Sequence, residues 1–420
     1  MKKLCISADA SILIAVLILA NLRASIFFPL FPTTSFSPLG LAWIEIGMWG
    51  VVFLATARAL IRLNLVYDYW RVWRQTWLLG IFVLLALISL VWSDSFFVTL
   101  FRWLEFFFAT TIAVYIGVRY DLHRVLELLA WDGAYLALFC LLFALFLPSL
   151  GVEFGYPYYG AWRGVFWHRN HLGSLMALFN LVLLFQIAMN LRVDKAQAFF
   201  WGFFYLLTLS LVVLSRSATG AILLVFLNSA FILLLIWLRF KSHLRPIHYY
   251  MLGLVFFVAL VIGFLNPDFF FSLFGRKFGL AARVDLWDYL LKYVVPKRPI
   301  LGYGFGFIWN DRTFRIETAE IVRWDFPIMN GDNGFLDILL HLGSIGLFVF
   351  LAVLGLTCMR AIRFAFAEQT LISFFPILFM MYALVANISF SLFMETEEFV
   401  WILIVLMLLT TLHPKEILPT

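Results

Sequence analysis

Of the 420 residues, 64% are hydrophobic and 13% charged, with a mean hydropathy of +0.99; soluble domains carry roughly 45–50% and about 25%, so a water-soluble globular fold is excluded. The formal net charge of +6 fits a bilayer protein that gathers lysine and arginine on its cytoplasmic side, and gives no separate reason to expect nucleic acid. Cys5, Cys140 and Cys358 stand at the chain start or in apolar runs and match neither a disulfide framework nor a zinc spacing.

Apolar stretches long enough to cross a hydrocarbon core, about 17–25 residues each, fall near 9–27, 39–57, 76–92, 98–118, 126–147, 171–190, 197–214, 219–238, 249–266, 334–357, 370–390 and 396–412. They predict an all-α polytopic membrane protein of about twelve spans. Met1, Lys2 and Lys3 before an apolar run resemble a secretory signal. No small-residue cleavage site precedes the second stretch, so the first is expected to be retained as a span. With the N-terminus cytoplasmic, the inner segments hold sixteen lysines and arginines and the short outer loops hold three, Arg163, Arg169 and Arg216. That is the bias orientation requires. The expected division is 1–266 as the first nine spans, 267–333 as a large outer loop, and 334–420 as the last three spans and a short tail. Both termini are then cytoplasmic.

The outer loop gathers the chemistry. Asp268, Asp285, Asp288, Asp311, Glu317, Glu320, Asp325 and Asp332 stand there beside nine cations. Its first part predicts a short amphipathic helix over 281–295, with Leu286, Leu290 and Val294 on one side and Pro296 and Pro299 ending it. Gly302, Gly304 and Gly306 in LGYGFGFIW then predict a flexible turn with aromatic rims; no strand-to-helix context makes it a dinucleotide site. Such a loop suits a substrate that is part lipid and part sugar, and equally a solvated loop lying on headgroups. Arg102 and Glu105 stand close enough in the fourth span to pair within the bundle.

Four segments narrow the choice. They are WSDSFFVTLFRW at 92–103, RGVFWHRNHLGSLMAL at 163–178, LSRSATG at 214–220, and the large loop with LFGRKFGLAARVDLW, PILGYGFGFIW and GDNGFLDILLHLGSIGL. In order, spacing and expected side of the membrane they resemble the O-antigen ligase, O-antigen polymerase and exopolysaccharide polymerase family, most of all its exopolysaccharide branch, over roughly 85–415. The resemblance implies a glycosyltransferase of the GT-C type in the bacterial plasma membrane. It would take a glycan from undecaprenyl diphosphate at the outer face and pass it to a glycan acceptor, without a metal or other cofactor and with inversion at the anomeric carbon. A chain-length regulator or flippase of the same pathway is an expected partner. Repeat-unit polymerisation is the preferred activity, and ligation to a lipid A core the alternative. A transporter or flippase is the competing class, but ionisable residues are few inside the spans and dense on the outer face, which disfavours a permeation path.

The residue chemistry is compatible with that family. Arginine offers fixed donor forks to a diphosphate leaving group. Arg216 and Arg283 match the family's arginines after the seventh span and in its GR-x-x-LW segment. Their bland alternatives are interfacial snorkelling for Arg216 and a surface ion pair with Asp285 or Asp288 for Arg283. Arg163 and Arg169 are further donor contacts. His168 and His171 are three apart, but zinc needs three or four ligands; His168 and Asn170 are therefore assigned to glycan or phosphate, with Asn333 as another binding residue. The sequence departs from the family at Asp332, which stands where a histidine normally precedes Asn333. A carboxylate can also take a proton from an attacking hydroxyl. The base is then Asp332, or another acid such as Glu317, Glu320 or Asp325, or the member is divergent or inactive.

Overall fold

A computed structural model describes residues 38–155, 158–241, 281–324, 327–393 and 399–412. The expected spans at 9–27 and 249–266, and Asp325, lie outside them. Each of the other ten expected stretches falls on a helix, and the described residues form no β-strand, only an isolated bridge between Val152 and Trp162.

The described α-helices longer than one turn are α1 (Pro38–Arg62), α2 (Val66–Gln75), α3 (Trp77–Ile88), α4 (Phe96–Arg119), α5 (Leu122–Phe146), α6 (Arg169–Asn190), α7 (Lys195–Ser215), α8 (Ala218–Phe240), α9 (Ala281–Tyr289), α10 (Arg312–Ile321), α11 (Gly334–Glu368), α12 (Phe375–Ser389) and α13 (Phe399–Thr410). Six of them, α4 to α8 and α11, are long and apolar enough to cross a membrane. The bent pair of α1 and α2, turned by 110°, would add one more, and Trp77–Val91, Ile372–Ile388 and Phe399–Thr410 are shorter apolar helices. An all-α membrane protein follows from these helices, though not a count of twelve spans.

The chain divides into two compact units, 139–285 and the combination of 1–138 with 286–420. In the larger unit α13 is apolar on all sides and buried throughout 399–409, as a helix enclosed by others must be. Trp401 anchors it, donating Nε1–H to Thr110 Oγ1 at 2.8 Å, with its ring 4.9 Å from Phe106 and 5.5 Å from Phe82.

Helix α11 is broken in the same unit. Gly343 has φ +66° and ψ −166°, and the backbone groups freed by the break are taken up by the loop before it. Tyr303 N–H donates to Leu340 O at 2.9 Å and Gly304 N–H to His341 O at 3.0 Å, while Ser344 N–H donates to Pro299 O at 2.9 Å. Unpaired backbone is not tolerated at membrane depth unless protein satisfies it, and 299–304 does so here. The glycine-rich segment is thus a packed plug, not the flexible turn expected from its composition. Gly302, Gly304 and Gly306 all have positive φ, and a Cβ on Gly304 would lie 2.5 Å from Ser93 Cβ. The first motif holds the same loop from its other side: Trp92 Nε1–H reaches Leu301 O at 3.0 Å and Arg298 pairs with Asp94 at 2.8 Å.

The expected amphipathic helix is present as α9 continued by a π-helical turn, Leu290–Val294, and a 3-10 turn, Val295–Lys297, that contains Pro296. Leu286, Leu290 and Val294 are buried in one cluster with Ile308, Trp309, Ala319, Ile328, Leu336 and Leu340. The loop therefore has its own apolar core against the start of α11.

In the smaller unit α6 is the central helix, packed by α7 and α8. Gly173 and Gly220 let α6 and α8 touch at the backbone: a Cβ on Gly220 would lie 2.6 Å from Gly173 C. Further along, Asn180 donates to Thr208 Oγ1 at 3.0 Å and accepts from Asn228 Nδ2 at 3.0 Å. Small residues and interhelical amides are the adhesives available where lipid removes the hydrophobic drive.

Candidate active site

The smaller unit joins two motifs that lie 47 residues apart. Helix α7 ends at Arg216, which takes the left-handed conformation with φ +50° and turns the chain into α8. Such a conformation costs a non-glycine residue about 1–2 kcal/mol, so the surroundings must impose it. They do so from the start of α6. Arg169 Nη1 donates to Arg216 O at 2.5 Å, and Ser217 Oγ donates to Asn170 Oδ1 at 3.0 Å. Ser217 Oγ also accepts the Gly220 N–H at 3.1 Å, capping α8. The turn is therefore locked by the HRNH segment, and the Arg216 side chain remains exposed, with Nη1 donating to Tyr159 O at 3.0 Å.

The remaining expected contacts divide by role. Arg169 is buried and its guanidinium lies 4.0 Å over the Tyr158 ring. Arg163 gives Nε–H to Leu150 O at 2.8 Å and Nη1–H to Trp167 O at 3.3 Å. Both arginines hold backbone carbonyls, as Arg216 does. His168 is the N-cap of α6, its Nδ1 accepting Asn170 N–H at 3.2 Å. Burial lowers its pKa first, and Arg169, His171, Arg283 and Arg163 lower it further, to about 3. The imidazole is then neutral at physiological pH. With Nδ1 accepting, its proton sits on Nε2 and makes that atom a donor. Arg283, on the first turn of α9, belongs to this electrostatic neighbourhood. Of its two suggested surface partners, Asp288 pairs with Lys292 at 2.6 Å. The helix N-termini of α6 and α8 add their partial positive charge at the same end of the unit. Glu153, whose carboxylate accepts Arg169 N–H at 3.3 Å, is an acidic member of the cluster not anticipated from sequence.

Asp332 and Asn333 lie in the larger unit, at the start of α11. Asn333 is the helix cap: its Oδ1 accepts Phe335 N–H at 3.0 Å and Leu336 N–H at 3.2 Å. Asp332 precedes the cap, is partly exposed, and is left-handed with φ +48°. Glu317 and Glu320 are exposed on α10. Asp337, Ser391 and Trp309 form a buried polar group behind Asp332 that motif reading missed. The available signal was a carboxylate one helical turn after Asn333. Arg102 and Glu105 pair at 3.2 Å, as their spacing suggested, and Arg102 Nη2 also reaches Asn310 Oδ1 at 3.2 Å. Among the described residues no group of three or more His, Cys, Asp or Glu side chains is placed to hold a metal ion.

The fold and the cationic turn define the class, an all-α membrane protein with a charged site at its helix ends. Residues 203–351 match the family model described as O-antigen ligase, in support of the O-antigen ligase and polymerase family; the match does not distinguish an exopolysaccharide branch. It indicates a membrane enzyme of the ligase or polymerase type. The matched segment contains Arg216, Arg283, Asp332 and Asn333, while Arg163, His168, Arg169 and Asn170 precede it. No curated protein matches the chain significantly.

Proposed function

We propose that the chain is an inner-membrane glycosyltransferase that polymerises glycan repeat units carried on undecaprenyl diphosphate at the outer face. The acceptor hydroxyl attacks the anomeric carbon from the face opposite the diphosphate, which leaves with its bonding pair. Arg216 and Arg283 stabilise the charge that develops on the leaving oxygens, Nε2 of His168 donates to phosphate or glycan, and Asp332 takes the hydroxyl proton. The supporting observation is the Arg216 turn. The protein holds an exposed guanidinium in a strained backbone conformation, braced by Arg169 and Asn170, beside two helix N-termini. A strained, over-determined residue of this kind is a mark of a functional position. Ligation to a lipid A core is the second reading, favoured by the description of the matching family.

The test is transfer by purified protein from a polyprenyl-diphosphate-linked oligosaccharide. Arg216→Ala and Arg283→Ala are each expected to lose about 10²–10³-fold in kcat, with lysine restoring only part because a point charge cannot reproduce a bidentate fork. Full activity of both alanine variants would remove the diphosphate assignment, and transfer abolished by EDTA and restored by a divalent cation would overturn the metal-independent mechanism.

A further inference from the structure

Behind the Asp332 turn lies a carboxylate that the mechanism above does not use. Asp337 is 2% exposed. Its Oδ1 accepts Trp309 Nε1–H at 2.7 Å and Gly331 N–H at 2.9 Å, and its Oδ2 accepts the Ser391 hydroxyl. Ser391 Oγ in turn accepts Asn333 N–H at 3.0 Å. A backbone N–H can only donate, so the hydroxyl hydrogen is left to point at Asp337. The peptide groups on both sides of Asp332 therefore end on one buried carboxylate, directly through Gly331 and by way of Ser391 from Asn333. Two further bonds complete the bracket: Asp332 N–H donates to Asn330 Oδ1 at 2.8 Å, and Trp287 Nε1–H to Gly331 O at 2.8 Å. Gly331 allows the approach, because a Cβ there would stand 2.7 Å from Asp337 Oδ1.

We propose that Asp337 is a positioning residue for Asp332, fixing its left-handed backbone through the residues on either side and so setting where the Asp332 carboxylate points. The inference rests on the reading of Asp332 as the acceptor base. A helix needs no such arrangement merely to start, since Asn333 already caps α11. Each carboxylate oxygen can accept two hydrogen bonds, and Asp337 uses this capacity on both sides of the Asp332 turn, through Gly331 and Ser391. The arrangement is built around Asp332.

A double-mutant cycle on the purified full chain tests it. Asp337→Asn keeps the shape but leaves one acceptor oxygen in place of two and turns the Ser391 contact into one in which the amide donates, which loosens the bracket on the Asn333 side. In the wild-type background kcat is expected to fall about 10²-fold, the scale of a misaimed catalytic group, with KM for the polyprenyl-diphosphate-linked donor little changed. In the Asp332→Asn background the same substitution should cost nothing more, since no base remains to be aimed. Equal losses in both backgrounds, or no loss in wild type, would overturn the inference while leaving the Asp332 assignment standing. Asp332→Asn at full activity would remove the base assignment itself, and the positioning role with it. If Asp337→Asn does not accumulate, Ser391→Ala cuts only the Asn333 side and enters the same cycle. A smaller loss of kcat that vanishes in the Asp332→Asn background supports the role, and an additive loss or none overturns it.

Discussion

Asp332 and Asn333 are neighbours with separable duties. Asn333 caps α11 with two hydrogen bonds, so Asn333→Ala should cost about 0.5–2 kcal/mol of stability. Asn333, not Asp332, is the N-cap of α11, so the helix start is supplied without the Asp332 carboxylate. Asparagine tolerates the left-handed region as readily as aspartate does, so Asp332→Asn should leave the turn intact and lower transfer about 10²–10⁴-fold if the carboxylate is the base. Asp332→His should retain measurable transfer with its pH profile moved toward the imidazole range. Near-normal turnover by Asp332→Asn, at matched protein levels, would shift the assignment to Glu317, Glu320 or Asp325. His168 gives a different kind of prediction. Its native pKa of about 3 lies below the ordinary 6.5, so between those values the unfolded chain binds a proton that the native state does not. Stability therefore falls as pH drops through 6.5 toward 3. Thermal unfolding in detergent should show His168→Gln less sensitive to acid across that window than wild type; parallel pH dependences would contradict the neutral native imidazole.

Among the elements, the break in α11 is the feature most dependent on one residue. A Cβ at Gly343 would stand 2.1 Å from Ile300 O, and its φ and ψ of +66° and −166° lie in a region reserved for glycine. Gly343→Ala should therefore cost at least about 1–3 kcal/mol for the backbone alone, read as a lower unfolding temperature and poorer yield. An unchanged unfolding temperature would mean that the plug of 299–304 is not what holds the break. Sequence predicted a helix here and a turn at LGYGFGF, but not that each would complete the other's hydrogen bonding. The amphipathic pattern at 281–295, by contrast, was readable, because Leu286, Leu290 and Val294 recur at helical spacing and needed only an apolar partner. The HRNH and SRS motifs were readable as separate charged segments. Their joining through Arg169, Asn170 and Ser217 was not, since hydrogen bonds across 47 residues leave no local periodicity.

For the molecule as a whole, the sixteen-to-three distribution of cations predicts the orientation. Reporter fusions after residues 155 and 300 should read outside, and those after 243 and 364 inside. A cytoplasmic reading at 300 would put the large loop on the wrong side for a lipid-linked glycan presented at the outer face, and the proposed chemistry would fall with it.

Hydropathy by itself determined that this chain lives in a bilayer and where most of its described helices run, because a lipid-facing helix must be apolar over a length set by the membrane. Motif order determined the family expectation that the matched domain supports. Tertiary structure alone decided how exposed each charged residue is and which neighbours it holds. Arg216 stays exposed while Arg169 is buried beneath the Arg216 turn, and Asn333, not Asp332, caps α11. Residue type fixes what a side chain can donate or accept; only the packed fold decides how much of that capacity its neighbours consume.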